Sequence, residues 1–252
     1  MRKAALLNAP VTSDTLPAIL SRTRDVEPTI RKLVFSSVLE QLEHPKQLTI
    51  DQRELIVRNG LGDRELTVRA AAEKLISDWC DTLEGVLPFL SMFDLFESKE
   101  AEQALLTVFQ SRTDILDSLD FGGALLDRPE ITYADVFLDN FWEDLSPDKA
   151  FLARVFVEHC VQAKDEARLE SSIPVMTALA FRIQALYNDL LRGIQSSEEE
   201  NLFNSSDLEA KEKREAELSD LEFVLGEILK LAVNLDYADE IGRRKMFQLV
   251  SA

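Results

Sequence analysis

Glycine and proline are scarce, with eight of each in 252 residues. A sheet protein of this length needs a turn every few residues, so the shortage argues against one. Cysteine is nearly absent. Cys80 and Cys160 stand far apart, which suits a reducing compartment and offers no disulfide framework. Histidine is limited to His44 and His159, and there is no HExxH, CxxC, G-x-S-x-G or phosphate-binding glycine loop. None of the usual catalytic signatures is therefore written in the chain, and the expectation is a protein that is not an enzyme and uses no cofactor, metal or small-molecule substrate. No apolar run reaches membrane-spanning length, and the stretch before Pro10 is too short for a secretory leader. Positive charge is missing from most of the chain. Residues 1–74 hold twelve Lys/Arg against ten Asp/Glu, whereas residues 75–252 hold sixteen against thirty-six. A polyanion should avoid the second part and could tolerate the first.

Leu, Ala, Glu, Asp and Arg dominate, and most of these favour helix. Two segments align at a spacing of 38 residues. Asp25-Val26-Glu27-Pro28-Thr29-Ile30-Arg31 and Asp63-Arg64-Glu65-Leu66-Thr67-Val68-Arg69 both read Asp-x-Glu-x-Thr-(Ile/Val)-Arg. Each follows one helical pattern (Leu16 to Arg22; Arg53 to Asn59) and opens another (Ile30 to Leu42; Val68 to Trp79). Helix, short turn with Asp, then a helix opening on Val-Arg is the HEAT-repeat pattern, and the spacing is close to its period of roughly 40 residues. The predicted fold is all-α: an α-solenoid of HEAT repeats, built of antiparallel helix pairs. In each repeat the Asp is placed to cap the second helix. The Arg is placed to reach the Asp of a neighbouring repeat. Asp25, Arg31, Asp63 and Arg69 are thus the expected ladder.

A weaker third copy runs from Asp236 to Ile241, Gly242, Arg243 and Arg244, after a helix with Val224, Leu225, Ile228, Leu229 and Ala232 on one face. The chain opens on Arg2-Lys3-Ala4-Ala5-Leu6-Leu7, which resembles the second helix of a repeat, and it ends after Met246, Phe247 and Val250. Residues 1–252 therefore read as a single solenoid segment that begins and ends inside repeats. Helical stripes continue between the ends: Phe151, Leu152, Val155, Phe156 and Cys160, then Val175, Met176, Leu179, Ile183, Leu186, Tyr187 and Leu190. Ser146-Pro147 and Ile173-Pro174 place Pro in a first turn. Thr49 to Gln52 and Ser206 to Glu209 fit the capping box. Phe121 to Arg128 reads as a loop, and the acidic, serine-rich stretch 196–206 as an inter-repeat loop.

Candidate sites are few. Asn59-Gly60-Leu61-Gly62-Asp63 joins helix to helix and reads as a helix C-cap and turn. His159 and Cys160 are neighbours on a helix and do not face each other. Carboxylate pairs such as Asp78/Asp81 and Glu97/Glu100 read as solvated helix faces. Trp79 reads as core, whereas the aromatic run containing Phe141 and Trp142 is either packing or an anchor for a partner peptide. Arg22, Arg24, Lys32, Arg58 and Arg64 cluster before and around the repeat turns. They could contact DNA phosphates without reading bases, or they could pair with nearby Asp and Glu.

The segments Thr15 to Val26, Thr29 to Val34, Leu48 to Glu54, Val57 to Glu65 and Ala238 to Met246 resemble the G-type HEAT subunit of condensin, the condensin subunit 3 family. The resemblance implies an internal part of a large non-catalytic scaffold. It implies binding of the kleisin subunit, clamping of double-stranded DNA without sequence preference by the pair, and a place in the nucleus and on chromosomes, outside any membrane. The competing expectation is a HEAT adaptor that binds proteins only, with the acidic second part receiving a basic segment.

Overall fold

The structure is a computed structural model that describes residues 2–119, 140–172, 176–202, 208–235 and 240–250. Among the described residues every regular element is helical. The chain divides into two compact units, Met1–Ser118 and Leu119–Ala252.

The first unit opens with α1 (Arg2–Asn8), α2 (Leu16–Ser21) and α3 (Pro28–Leu33). The helical path of α3 does not stay regular to Leu42. It widens to a π-turn over Val34–Val38 and tightens to a 3-10 turn over Leu39–Gln41. Val34, Phe35, Val38 and Leu39 are all buried there, and a single widened turn is how a helix re-aims consecutive apolar side chains into one core. α4 (Ile50–Leu61) starts on a capping box between Thr49 and Gln52. α5 (Leu66–Thr82) buries Val68, Ala71, Ala72, Leu75, Ile76, Trp79 and Cys80, a 3.6-residue stripe. α6 (Val86–Leu90), α7 (Glu100–Ser111) and α8 (Thr113–Ser118) complete the unit.

α4 and α5 are joined by four residues and pack along each other, as an antiparallel HEAT pair must. Gly60 makes the close approach possible. A Cβ built there would lie 2.4 Å from Ala72 Cβ and 3.1 Å from Phe35. Both are fixed by backbone or core packing, so Gly60→Ala should cost about 1–3 kcal/mol despite the better helix propensity of alanine. Urea unfolding of the two proteins checks this; an alanine variant as stable as the parent would mean that the two helices can part freely. Gly62 is the C-cap of α4, at a negative φ of −81°, with its N–H donating to Arg58 O.

The second unit holds α9 (Asn140–Glu143), α10 (Pro147–Ala163), α11 (Glu166–Ser172), α12 (Met176–Leu202), α13 (Leu208–Ala232) and α14 (Glu240–Val250). α10 buries Phe151, Leu152, Val155, Phe156 and Cys160 and packs on α13, which also packs on α12. The sequence stripes need some correction here. Leu229 and Tyr187 are exposed, while Leu231 is buried. Phe247 is exposed beside buried Met246. The expected loop at 196–206 is corrected over its first seven residues: α12 continues to Leu202, since Glu and Gln are good helix formers and no Gly or Pro interrupts them. Phe121 to Arg128, Pro174, the capping box at Ser206 and Asp236 fall outside the described residues.

Candidate functional site

The two repeat turns are built alike. The Asp25 carboxylate accepts the Glu27 N–H at 3.0 Å, and the Asp63 carboxylate accepts the Glu65 N–H at 2.9 Å. The N-caps of α3 and α5 are therefore Glu27 and Glu65. Each Asp stands two residues ahead of the cap and orders the turn instead of capping the helix itself. Six residues on, an arginine reaches back: Arg31 Nη1 donates to Asp25 O at 2.9 Å, and Arg69 Nη1 to Asp63 O at 2.6 Å.

The second contact of Arg31 crosses between repeats. Its Nε and Nη2 donate to the two oxygens of Asp63 at 2.6 and 2.9 Å, a fork that matches carboxylate geometry. Both side chains are buried. The Arg31 hydrogen bond holds the Asp63 carboxyl below the usual carboxylate range, aided by the Glu65 N–H and opposed by burial. No such fork joins Arg69 to the next helices among the described residues; it bonds back to Asp63 O. That junction is held by other contacts: Arg58 with Glu100, the Asp94 N–H on Glu54 at 3.2 Å, Ser77 with Ser111 at 2.7 Å, and Arg112 with Asp81 at 2.5 Å. Glu100 and Asp81 are thus inter-repeat partners, not merely solvated faces. Their signal in the sequence was a separation of about one repeat from a basic residue.

A cleft of about 540 Å³ opens at these turns. Arg24, Arg58 and Arg64 line it together with Arg31, Asp25 and Asp63. Arg24 Nε donates to Asn59 Oδ1 at 3.1 Å, and Asn59 Nδ2 donates to buried Thr23 at 2.8 Å. Arg24 and Arg64 are exposed and form no ion pair among the described residues. Arg58 is tied to Glu100. Arg22 lies outside the cleft lining, 3.4 Å from Asp25, and exposed Lys32 also stays out of it. With Asp63 neutralised by Arg31 and Asp25 next to Arg22, the cleft presents net positive charge.

Phe141 and Trp142 belong to the other unit. They are half-buried and meet edge to face at 5.3 Å, with Lys149 Nζ 6.0 Å from the Phe141 ring. His159 is half-buried, and burial leads the causes that lower its pKa, with Arg168 adding. Burial pushes the Cys80 and Cys160 thiols up to about 11, away from nucleophilic use. Among the described residues no group of three His, Cys, Asp or Glu could hold a metal ion, and no helix is long and apolar enough to cross a membrane. The sequence reading missed Arg154 and Glu227, a buried ion pair joining α10 to α13. The available signal was a charge at Arg154 inside the Phe151–Val155 apolar stripe.

Helix pairs joined by a buried Asp–Arg fork, with a polar cleft at their turns, define a HEAT-repeat solenoid. The comparisons narrow that class. The chain is 30% identical to "Condensin complex subunit 3" of Saccharomyces cerevisiae over 99% of its own length and 22% of that protein. It is 30% identical to the Schizosaccharomyces pombe protein of the same name over 98% and 24%, and 26% identical to the Homo sapiens one over 99% and 23%. Its fold matches a chain of the crystal structure of the S. pombe condensin Cnd3–Cnd2 subcomplex with a TM-score of 0.76 and 29% identity, covering 98% of this chain and 28% of that one. No family model matches. By sequence and fold together, the chain is similar to a part of condensin complex subunit 3, and it spans less than a quarter of the length of these curated relatives.

Proposed function

We propose that this chain is a segment of the non-catalytic scaffold of a condensin-type complex, which binds the kleisin subunit and helps hold double-stranded DNA on chromosomes in the nucleus. The observation that carries the reading is the match along 98% of the chain to a protein solved as a Cnd3–Cnd2 subcomplex. Within the segment, the turn cleft is the part suited to DNA, because Arg24 and Arg64 are exposed cations outside any ion pair among the described residues. Such groups neutralise phosphates and release counterions without reading bases. Phe141 and Trp142 are candidates for a partner peptide, since aromatic side chains supply much of the contact energy in peptide recognition.

The test is a salt series of DNA binding by the full complex carrying Arg24→Glu and Arg64→Glu. Each lost phosphate contact flattens the log–log salt slope by about 0.9, so the pair should reduce it by about 2. An unchanged slope would take both residues out of the footprint. The adaptor reading, binding proteins only, would be favoured if the full complex bound kleisin and the parent itself showed no salt-dependent DNA binding.

A further inference from the structure

α12 and α13 are 27 and 25 residues long, about 40 and 37 Å, and only their adjoining halves take part in the core. Leu186 is buried in α12, and Val224, Leu225, Glu227, Ile228, Leu231 and Ala232 in α13. Beyond them, no residue of 187–197 or 209–223 is buried. The two helices still meet in this outer half, where a Cβ on Gly193 would lie 2.6 Å from Leu218 Cδ2. The outer half is therefore a helical hairpin packed on itself.

One stripe of that hairpin is apolar and uncovered. Tyr187, Leu191 and Ile194 are 42, 38 and 40% exposed. They stand at i, i+4 and i+7, hence on one helix face, beside the face that meets α13. The surroundings are strongly anionic. Residues 187–222 hold four Lys/Arg against eleven Asp/Glu, a net of −7. Three of the cations are answered on the hairpin itself, Arg192 by Asp189, Lys211 by Glu215 and Lys213 by Glu217. Exposed Glu209, Glu212, Asp220 and Glu222 form no ion pair among the described residues.

We infer that this hairpin is a docking surface for a basic amphipathic helical segment of a partner protein. Apolar positions at i, i+4 and i+7 match the anchor spacing of a helix laid against a helix face, and the net charge of −7 over residues 187–222 selects Lys and Arg on its flanks. The same charge repels nucleic acid and disfavours a second copy of this chain.

The probe is a fluorescein-labelled 18-residue helical peptide with Leu at i, i+3, i+4 and i+7 and Lys/Arg elsewhere, followed by anisotropy with the full chain. Two control peptides replace every Lys/Arg by Glu, or every Leu by Ser. The basic amphipathic peptide should bind at least about tenfold tighter than either control, with affinity falling as salt rises. Leu191→Glu with Ile194→Glu should weaken it by about tenfold or more, with the circular dichroism of the parent. Glu209→Lys with Glu212→Lys, which leaves the stripe intact, should weaken it as well. Equal binding of the Ser control, or no loss in both variants, overturns the proposal. So does a dimer of the parent chain that the Leu191/Ile194 variant dissolves, because the stripe would then belong to a second copy.

Discussion

Arg154→Met should destabilise the protein by about 3–5 kcal/mol, the usual loss when one partner of a buried ion pair is removed. Arg154 on α10 and Glu227 on α13 are 7 and 3% exposed at their side chains and are bonded to each other. Arg154 also donates to Glu158 at 2.7 Å and lies over the Phe151 ring, 5.0 Å from its centroid. Methionine keeps much of the volume and the apolar contact, so what the substitution removes is the answer to a buried carboxylate. Lys230 remains 2.7 Å from Glu227, but its side chain is largely exposed and compensates little. Arg154→Met combined with Glu227→Met should recover most of the loss, because two packed apolar side chains often equal a buried ion pair in stability. Urea unfolding of the singles and the double decides it. A double variant as unstable as the worse single would mean that the pair does not act as a unit.

Asp63→Ala should be comparably costly at neutral pH, again about 3–5 kcal/mol. The substitution strips the forked partner from the buried Arg31 guanidinium and also removes the acceptor of the Glu65 N–H. Because Arg31 bridges two repeats, the damage falls on the interface between them, the term that couples neighbours in a repeat array. The gap between parent and variant should depend on pH in a definite sense. The folded Asp63 carboxyl sits below its ordinary value, so its contribution is complete above the unfolded carboxylate pKa of roughly 4. It is lost as pH falls through the lower folded value. Unfolding curves at pH 7 and near pH 3 should show the difference narrowing in acid. A constant difference would assign the loss to packing instead of charge.

Several features of the candidate site were legible because they are local. The motif Asp-x-Glu-x-Thr-(Ile/Val)-Arg places Asp and Arg six residues apart, across one turn and the start of a helix, and both Arg31 and Arg69 do bond back to their own Asp backbone. The capping box at Thr49 lies within four residues and was readable for the same reason. Arg24, Arg58 and Arg64 were legible as basic turn residues. That Arg58 is tied to Glu100, and that Lys32 stays outside the cleft, depends on the placement of elements far along the chain.

The sequence by itself determined the helical class and the 38-residue spacing of the two repeat turns, because hydrophobic period, scarce turn-formers and a recurring turn motif are carried by residues within a few positions of one another. Only the tertiary structure decided that Arg154 closes on Glu227, a partner 73 residues away. Only it left Tyr187, part of a stripe that the pattern alone would have sent inward, 42% exposed. The periodicity of a helix fixes which side chains share a face. What that face meets is set by the length of its neighbours and by how the helices stack.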